Sequence, residues 1–448
     1  MFISKKKYQF LLDTIAELKA ENTRLRARIA ELEHRKNSNN SSVPPSKDEN
    51  RIKKNQSLRE KSEKKVGAQP GHEGSMLKMT ENPDEIIKYV PQYCNYCGND
   101  LTEVSEEFIE GRQILEIPEI KVKYVEYQIY SKKCDCGHIT ECDFPPDINA
   151  KIQYGRGVAA LISYFFARQY IPFHRMKEIL NHLFHIPISE GGIHYLLQRI
   201  TNKEISLYNL IRDKVEVTKQ AGSDETGAKI NGKKYWFWTW QNKFLTYIVC
   251  SPSRGYDSVK KVFPKGLVNA IINHDRWASQ IITPAKGHQI CTAHLLRDFN
   301  YLIELYKCEW SVKMKMLILR ALELKKQLAE IDYLKDIPER NILEQELDLL
   351  LSEQINPMHK KSLTIQKKLT KIQSYILTFL YYPEVPPDNN GSERAIRNIK
   401  VKQKVSGYFK SFTGAEIFAI NRSIIDTIIK SGNNVLEGLN LVGEYLPD

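Results

Sequence analysis

The stretch from residue 219 to residue 250 decides the fold. It contains Ser223-Asp224-Glu225-Thr226 and, further on, Tyr235-Trp236-Phe237-Trp238-Thr239-Trp240. The residue pattern predicts three consecutive strands, at about 220 to 230, 233 to 241 and 243 to 250. The aromatic run places its indoles on one face and favours a sheet that is buried on both sides.

The segments that follow extend this pattern into an α/β domain. A helix is predicted from Gly255 to Phe263 and another strand from Leu267 to Asn273. Three meandering strands, a helix and a further strand are the order of a ribonuclease-H-like sheet. Residues 289 to 380 are predicted to be nearly all helical, and the segment from Ser392 is mostly helix.

Three acids occupy positions typical of a two-metal phosphoryl-transfer site. Asp224 opens the run of strands, Asp275 ends the later strand, and Glu393 begins a helix. Carboxylates are the natural ligands of the hard divalent ions that assist phosphodiester cleavage. Each aspartate is expected at a strand end, where α/β sheets present ligand groups, and neighbouring strands would let both share one metal. Glu225 is the alternative to Asp224, but strand alternation directs it to the other face.

Imidazole and basic side chains accompany these acids. Cys291 and His294 lie three residues apart, which places them on one helical face. This spacing leaves a metal or substrate role open for both residues. Packing beside the active site is the simpler interpretation for Cys291, whereas active-site support is favoured for His294 and Arg297. In the helix of Glu393, exposed cations can hold phosphates beside the metals. These cations are Arg394, Arg397, Lys400, Lys402 and Lys404.

The overall composition restricts the class of protein. The chain has 448 residues, a length that favours several domains. Its net charge of +12 at pH 7 favours a polyanionic partner. Without a long apolar run or a signal pattern, we expect a cytoplasmic protein that is not associated with a membrane. Five of the eight cysteines lie between Cys94 and Cys142, which indicates a metal site more than disulfides.

Residues 90 to 150 are predicted to form a zinc ribbon. Two close-set cysteine pairs flank the strand-like residues 112 to 130, and a glycine after each pair lets the backbone turn around the metal. Four thiolates close a tetrahedral structural zinc site. The predicted ligands are Cys94, Cys97, Cys134 and Cys136. The second pair has the shorter C-x-C spacing, so Cys142 or His138 can replace one of its members.

Residues 8 to 35 carry a heptad repeat, within a predicted coiled-coil domain at residues 1 to 36. Leucines recur every seven residues at position d, while Ile15, Asn22 and Ile29 take position a. This pattern favours a parallel dimer, and a single Asn at a fixes its register. It predicts a leucine zipper that forms a homodimer or a larger assembly; the alternative is an amphipathic helix packed on its own domain. The d positions are Leu11, Leu18, Leu25 and Leu32.

Residues 37 to 89 are predicted to be a flexible basic linker. The Asn- and Ser-rich stretch that ends in Pro44-Pro45 cannot continue the helix. The basic stretch beyond it is either a solvated linker or an arm on the DNA backbone. The DNA-binding residues of such an arm are Lys53, Lys54, Arg59, Lys61, Lys64 and Lys65.

Residues 151 to 215 are predicted to form three helices. The second spans about His174 to Phe184, and the third begins at Ser189. Two helices joined by a short turn suit a helix-turn-helix whose last helix enters the major groove of DNA. A plain helical hairpin fits the same pattern equally well.

Taken together, these motifs resemble the transposases of the insertion-sequence-66 family over nearly the whole chain. The most specific matches are Pro70-Gly71-His72-Glu73-Gly74 and Asn389-Asn390-Gly391-Ser392-Glu393-Arg394. The resemblance implies a DDE enzyme in which Asp224, Asp275 and Glu393 bind two magnesium ions and carry out DNA strand cleavage and transfer. It also implies a ribonuclease-H-like catalytic domain at 216 to 448, with a helical insertion at about 300 to 380.

The leading hypothesis is an insertion-sequence transposase that acts on double-stranded DNA, at the ends of its element and at the target. A non-catalytic, zipper-dimerised DNA-binding regulator would not need three ordered acids in its C-terminal half. A ribonuclease-H-like nuclease without transfer activity would not need the zipper, the ribbon or the basic arm. The expected fold class is multidomain α+β, with a coiled coil, a zinc ribbon, a helix-turn-helix-like domain and a ribonuclease-H-like core.

Overall fold

The computed structural model describes residues 5–33, 74 and 77–445. The chain divides into two compact units: residues 52–122 form one, and residues 1–51 together with 123–448 form the other. The predicted basic arm, Lys53 to Lys65, lies outside the described residues, as does the stretch from Pro70 to Glu73. Among the described residues, no helix combines the length and apolar character needed to cross a membrane.

One long helix, α1 (Lys5–Glu33), covers the heptad repeat. Leu11, Leu18 and Leu25 at the predicted d positions are between 42% and 60% exposed. The helix comes close to the segment Thr292–Tyr306, yet only Thr14 is partly buried among the side chains of α1 that the structure describes. The predicted helix is therefore present, and its apolar seam faces solvent.

The two cysteine pairs lie in short turns. In the unit of residues 52–122, the described part has no regular helix or strand, and an isolated bridge joins Tyr93 to Asp100. In the other unit, β1 (Ser131–Lys133) and β2 (Ile139–Glu141) form an antiparallel hairpin. The strand prediction for residues 112 to 130 is wrong, because no described strand pairs with them.

A helical segment precedes the main sheet, as predicted. It contains α2 (Arg156–Ser163), which continues into a π-helix, then α3 (Phe173–Phe184) and α4 (Glu190–Glu216). The hydroxyl of Ser189 accepts a hydrogen bond from the backbone N–H of Gly192 at 3.1 Å and so caps α4. Helix α4 buries one apolar face along its 27 residues.

A five-stranded mixed sheet forms the centre of the larger unit. Its strands are β3 (Gln220–Ile230), β4 (Lys233–Gln241), β5 (Thr246–Ser251), β6 (Leu267–His274) and β7 (Ala285–Ile290). Their order is β5-β4-β3-β6-β7, and the first three are antiparallel, whereas β6 is parallel to both β3 and β7. The short helices α5 (Tyr256–Val262) and α6 (Ala278–Ile281) connect the later strands. The predicted meander, helix and strand are thus confirmed.

Four helices follow β7 and form a helical insertion. They are α7 (Thr292–Tyr306), α8 (Glu309–Gln327), α9 (Pro338–Ser352) and α10 (Lys360–Thr370). A 3-10 turn at Glu330–Leu334 connects α8 to α9. The insertion shares one hydrophobic core with the end of the sheet, in which Ile290 of β7 and Phe299 of α7 are fully buried.

The chain then returns to the sheet through α11 (Asn390–Ser406), α12 (Phe412–Lys430) and α13 (Val435–Tyr445). Helix α11 packs on β3 and β4, and α12 packs on β5 and α4. The Ser423 hydroxyl of α12 accepts a hydrogen bond from the backbone N–H of Ile248 at 2.9 Å. Helix α11 therefore brings the third predicted acid back beside the first strands.

Candidate active site

The three predicted acids lie on adjoining elements. Asp224 is in β3, opposite Thr239 of β4, and Asp275 directly follows β6, the parallel neighbour of β3. Glu393 is in the first turn of α11, which packs on β3 and β4. The expectation that a strand ends at Asp224 is wrong, since β3 continues to Ile230.

The parallel pairing between β3 and β6 explains the position of Asp224. This pairing ends at Gly222 and Asn273, and beyond that point β3 pairs only with β4. Asp224 and Asp275 each lie two residues past the last parallel pair. Both aspartates therefore occupy the edge at which parallel strands present ligand groups, even though β3 itself continues.

The acids act on one another electrostatically. Asp224 is enclosed by protein while keeping some contact with solvent, and this burial raises its pKa well above the ordinary range. The carboxylates of Asp275, Glu225 and Glu393 raise the pKa further, against a hydrogen bond of 2.8 Å from the Glu225 N–H. The negative charges of Asp275 and Glu393 therefore act on Asp224, and a divalent cation bound beside these acids would offset that repulsion.

His294 connects two of the acids. Its Nδ1 lies 3.2 Å from Oδ1 of Asp275, and its Nε2 lies 3.8 Å from Oε1 of Glu393. Burial opposes protonation of the imidazole, but the side chains of Asp275 and Cys291 outweigh it and raise the His294 pKa to about 10. Arg297 Nη1 lies 3.4 Å from His294 Nε2. The structure thus brings both residues expected to support the acids to the same place.

A loop before α11 is fastened to the elements that carry the aspartates. The Asn389 side chain donates to the carbonyl of Ser223 at 2.8 Å, and its backbone N–H donates to Sγ of Cys291 at 3.2 Å. Nearby, the Thr292 N–H donates to the carbonyl of Pro387 at 3.0 Å. These bonds join β3, the start of α7 and the start of α11, and so fix the position of Glu393.

Close packing of glycines strengthens this junction. A Cβ atom at Gly222 of β3 would lie 2.5 Å from Oγ of Ser392 and 2.6 Å from Nε2 of Gln241. A Cβ atom at Gly391 would lie 2.5 Å from the same Gln241 nitrogen. The first turn of α11 can therefore approach the sheet only because both positions lack a side chain.

Glu225, the alternative to Asp224, is held by a separate set of polar side chains. Its Oε1 accepts hydrogen bonds from Arg254 Nη2 at 2.6 Å and Nε at 2.8 Å, and its Oε2 accepts one from Gln280 at 3.0 Å. The Arg254 guanidinium lies 3.5 Å from the ring centroid of Trp277 and 4.8 Å from that of Trp236. The carboxylate of Glu225 is fully engaged in this structural cluster.

The predicted cations of α11 divide into two groups. Arg394, Arg397 and Lys404 are exposed on the helix surface, where a polyanion can reach them. Lys402 is buried instead, with its ammonium 4.3 Å from the ring centroid of Phe166, and burial lowers its pKa to about 8. The expectation that Lys402 extends the exposed basic stretch is wrong, because its position falls on the inner face of the helix.

The two cysteine turns have the same backbone geometry. The Gly98 N–H donates to the Cys94 carbonyl at 2.9 Å, and the Gly137 N–H donates to the Cys134 carbonyl at 2.8 Å. Both glycines have positive φ, 77° and 91°. Backbone N–H groups around each first cysteine lower its pKa, chiefly that of Cys97 for Cys94 and that of Cys136 for Cys134. Each turn therefore suits a metal-bound thiolate.

A groove with both polar and apolar lining runs along the exposed side of helix α4. The groove has a volume of about 800 Å³ and extends to the start of α12. Tyr195 in it is 63% exposed. Its other polar lining includes Gln198, Arg199, Asn202 and Asn209. Aromatic, amide and guanidinium groups of this kind suit DNA contacts.

Sequence reasoning missed the residues that assemble the site. Asn389, Gly391 and Ser392 belong to the stretch Asn389 to Arg394, one of the two most specific parts of the family resemblance. That resemblance was the sequence signal that could have identified them. Gly222 and Gln241 carry no comparable motif. Their contacts join segments about 150 residues apart and emerge only in the folded chain.

Comparison with known families gives three matches. Residues 151–417 match the family described as "Transposase IS66 family". Residues 91–137 match the "zinc-finger binding domain of transposase IS66", a range that contains Cys94, Cys97, Cys134 and Cys136 but neither His138 nor Cys142. Residues 3–78 match a family of unknown function (DUF6444). No curated protein shows significant similarity to the chain.

Proposed function

Because the chain belongs to the IS66 family of transposases, we propose that it is a DDE transposase whose Asp224, Asp275 and Glu393 hold two magnesium ions. In this proposal the enzyme cleaves DNA at the ends of its element and joins the freed 3′-hydroxyl to target DNA. The observation that carries the proposal is the convergence of the three acids, which come from β3, the end of β6 and the start of α11.

The charge balance supports metal binding at this place. The carboxylates of Asp275 and Glu393 raise the pKa of Asp224, and the guanidinium of Arg254 does not offset this repulsion because it is bound to Glu225. Asp275 Oδ1 is buried and has no hydrogen-bond partner. When bound, two magnesium ions would orient the attacking oxygen and stabilise the leaving oxygen.

The protein's own residues supply positioning. His294 lies between Asp275 and Glu393, so it keeps these carboxylates at a fixed separation. Arg394 and Arg397 on the exposed face of α11 can hold DNA phosphates beside the acids. A water and then a 3′-hydroxyl attack in line at phosphorus, and no covalent bond between enzyme and DNA is needed.

The sheet order supports a ribonuclease-H-like catalytic core at residues 216 to 448. Three antiparallel strands are followed by two parallel ones, and α11 returns to pack on the first of them. The helices between β7 and α11 would be the insertion at about 300 to 380. This arrangement supports a catalytic role for the edge of the sheet at which Asp224 and Asp275 lie.

The other parts of the chain have proposed roles in assembly and DNA contact. The exposed apolar seam of α1 supports a parallel homodimer, which would bring two element ends together. The zinc-finger domain supports a structural zinc ion. The groove on α4 supports DNA contact by the helical domain at 151 to 215, and the basic arm Lys53 to Lys65 would add phosphate contacts.

The test replaces each acid without changing its shape. The DNA flanking the gene gives the element ends, and end-containing duplexes serve as substrate. Asp224→Asn, Asp275→Asn and Glu393→Gln should each abolish magnesium-dependent cleavage and joining, while binding to the ends survives. Asp257→Asn changes an exposed carboxylate in α5 and serves as the matched control, with activity near that of the wild type.

Two outcomes would contradict the proposal. Full joining activity in any one of the three variants would remove that acid from the site. Cleavage of the ends without any joining, by the wild-type protein in the presence of target DNA, would favour a nuclease instead.

A further inference from the structure

A second metal-binding set lies beside the three acids and shares one of them. Asp275, Cys291 and His294 each place a ligand atom within 4.8 Å of the other two. Cys291 is fully buried, and His294 is only 6% exposed. We propose that these three residues form a site for a zinc-class transition metal, and that its occupation takes Asp275 away from the magnesium ions and inhibits the enzyme.

The distance between two of the ligand atoms suits a shared metal. His294 Nδ1 and Asp275 Oδ1 are buried and lie 3.2 Å apart, and neither atom has a hydrogen-bond partner elsewhere. Two ligands with bonds of about 2.1 Å to one tetrahedral zinc ion are about 3.4 Å apart. The two unpartnered atoms therefore have nearly the separation that a common metal requires.

The backbone holds the three ligands in place without a metal. Cys291 and His294 lie one turn apart at the start of α7, on one face of the helix. The Cys291 N–H donates to the carbonyl of His274 at 3.0 Å, which fixes Asp275 as the next residue of the chain beside them. Little rearrangement is needed for binding, so the ordering cost is small.

The ligand chemistry separates this site from the magnesium site. Magnesium requires oxygen ligands, whereas thiolate and imidazole favour zinc, cobalt and cadmium. Three protein ligands leave one position of a tetrahedral ion open. Because Asp275 belongs to both sets, the two kinds of metal compete. The binding site itself stands without the proposed function, but its inhibitory effect rests on that function.

The binding part is tested by the absorption of cobalt. The full-length protein, with its zinc finger loaded with zinc, is titrated with Co²⁺ at pH 8, where ligands lose their protons more easily. The wild type should gain a thiolate-to-cobalt charge-transfer band with one equivalent of Co²⁺. Cys291→Ser should lose that band, and His294→Gln should weaken Co²⁺ binding by more than about 10-fold.

Cys308→Ser is the matched control, because Cys308 is also buried and also precedes a helix, α8, but belongs to no such ligand set among the described residues. It should keep the band. An unchanged band in Cys291→Ser that shows wild-type thermal unfolding would overturn the site, and so would loss of the band in Cys308→Ser alone.

The inhibitory part is tested with Zn²⁺ added to the magnesium-dependent cleavage assay. The readout is the ratio of rates with and without Zn²⁺ in each protein, so any change in the rate without zinc cancels. The zinc concentration for half inhibition should rise more than about 10-fold in Cys291→Ser. Equal inhibition of both proteins would overturn this part. If the protein cleaves no DNA with magnesium, the proposed function fails, while the cobalt titration still decides the site.

Discussion

Gly222→Ala tests whether the contact between β3 and α11 positions the third acid. Gly222 lies in the middle of the sheet, paired with Gln241 on one side and Asn273 on the other. An added methyl carbon would lie 2.5 Å from Ser392 Oγ and 2.9 Å from Asn389 Oδ1. Both of these side chains are short and belong to the segment that begins α11, so full relief of the contact requires that segment to shift.

The size of the effect follows from these distances. Non-bonded atoms in good contact lie about 3.5 to 4.0 Å apart, so the start of α11 must retreat by about 1 Å. Overpacking of this kind costs about 1 to 3 kcal/mol of folding free energy. A displacement of about 1 Å at a catalytic group slows a reaction about 100-fold. We therefore expect a folded protein whose cleavage rate falls about 100-fold.

The assay is single-turnover cleavage of end-containing DNA with magnesium, together with thermal unfolding and binding to the same DNA. Gly227→Ala is the matched control, because it makes the same change in the same strand and its methyl carbon would lie 3.4 Å from the nearest atom, on the flexible Lys234 side chain. Equal cleavage rates for the two variants would refute the view that this contact positions Glu393.

Three further predictions concern stability, zinc and assembly. Burial raises the pKa of Glu204 from 4.5 to about 8. The folded chain therefore keeps a proton that the unfolded chain loses above pH 4.5. As a result, the free energy of unfolding falls with rising pH across that interval, by up to about 1.4 kcal/mol per pH unit. Glu204→Gln should flatten this decline in urea unfolding between pH 5 and 8, and an unchanged slope would contradict it. Cys94→Ser should lose about one zinc per chain in elemental analysis while the unfolding of the sheet domain stays the same. A peptide of residues 6 to 36 should sediment as a dimer, and Asn22→Leu should raise its melting temperature while mixing its oligomeric states; a monomeric peptide would contradict the zipper.

The strands were predictable because their signal is local. Alternation and aromatic content in residues 219 to 250 gave the bounds of β3 and β4 to within a residue, and the order of elements gave their neighbours. The same local reasoning failed for residues 112 to 130, where a strand-like sequence forms no strand. A strand depends on a pairing partner, which the pattern itself does not contain.

The residues of the candidate site were predictable from the sequence, but the contacts that bring them together were not. Types and order of residues identified Asp224, Asp275 and Glu393 as candidates. The contact of His294 with two of them, and the bond from Asn389 to Ser223, depend on long-range packing. The burial of Lys402 shows the same limit, since its charge alone suggested an exposed position.

Two hydrogen bonds join the start of the helical insertion to its end. One runs from the Thr292 N–H to the Pro387 carbonyl, and the other from the Asn389 N–H to Cys291 Sγ. The insertion therefore starts and ends at neighbouring points of the domain, and these hydrogen bonds hold its two ends together. Extra residues at its far end, around the turn Glu330–Leu334, would add only a small entropic cost of loop closure, because that cost grows slowly with loop length. They would not disturb the hydrogen bonds at the base. The far end of the insertion can therefore vary in length and in its contacts while the bonded base keeps its position.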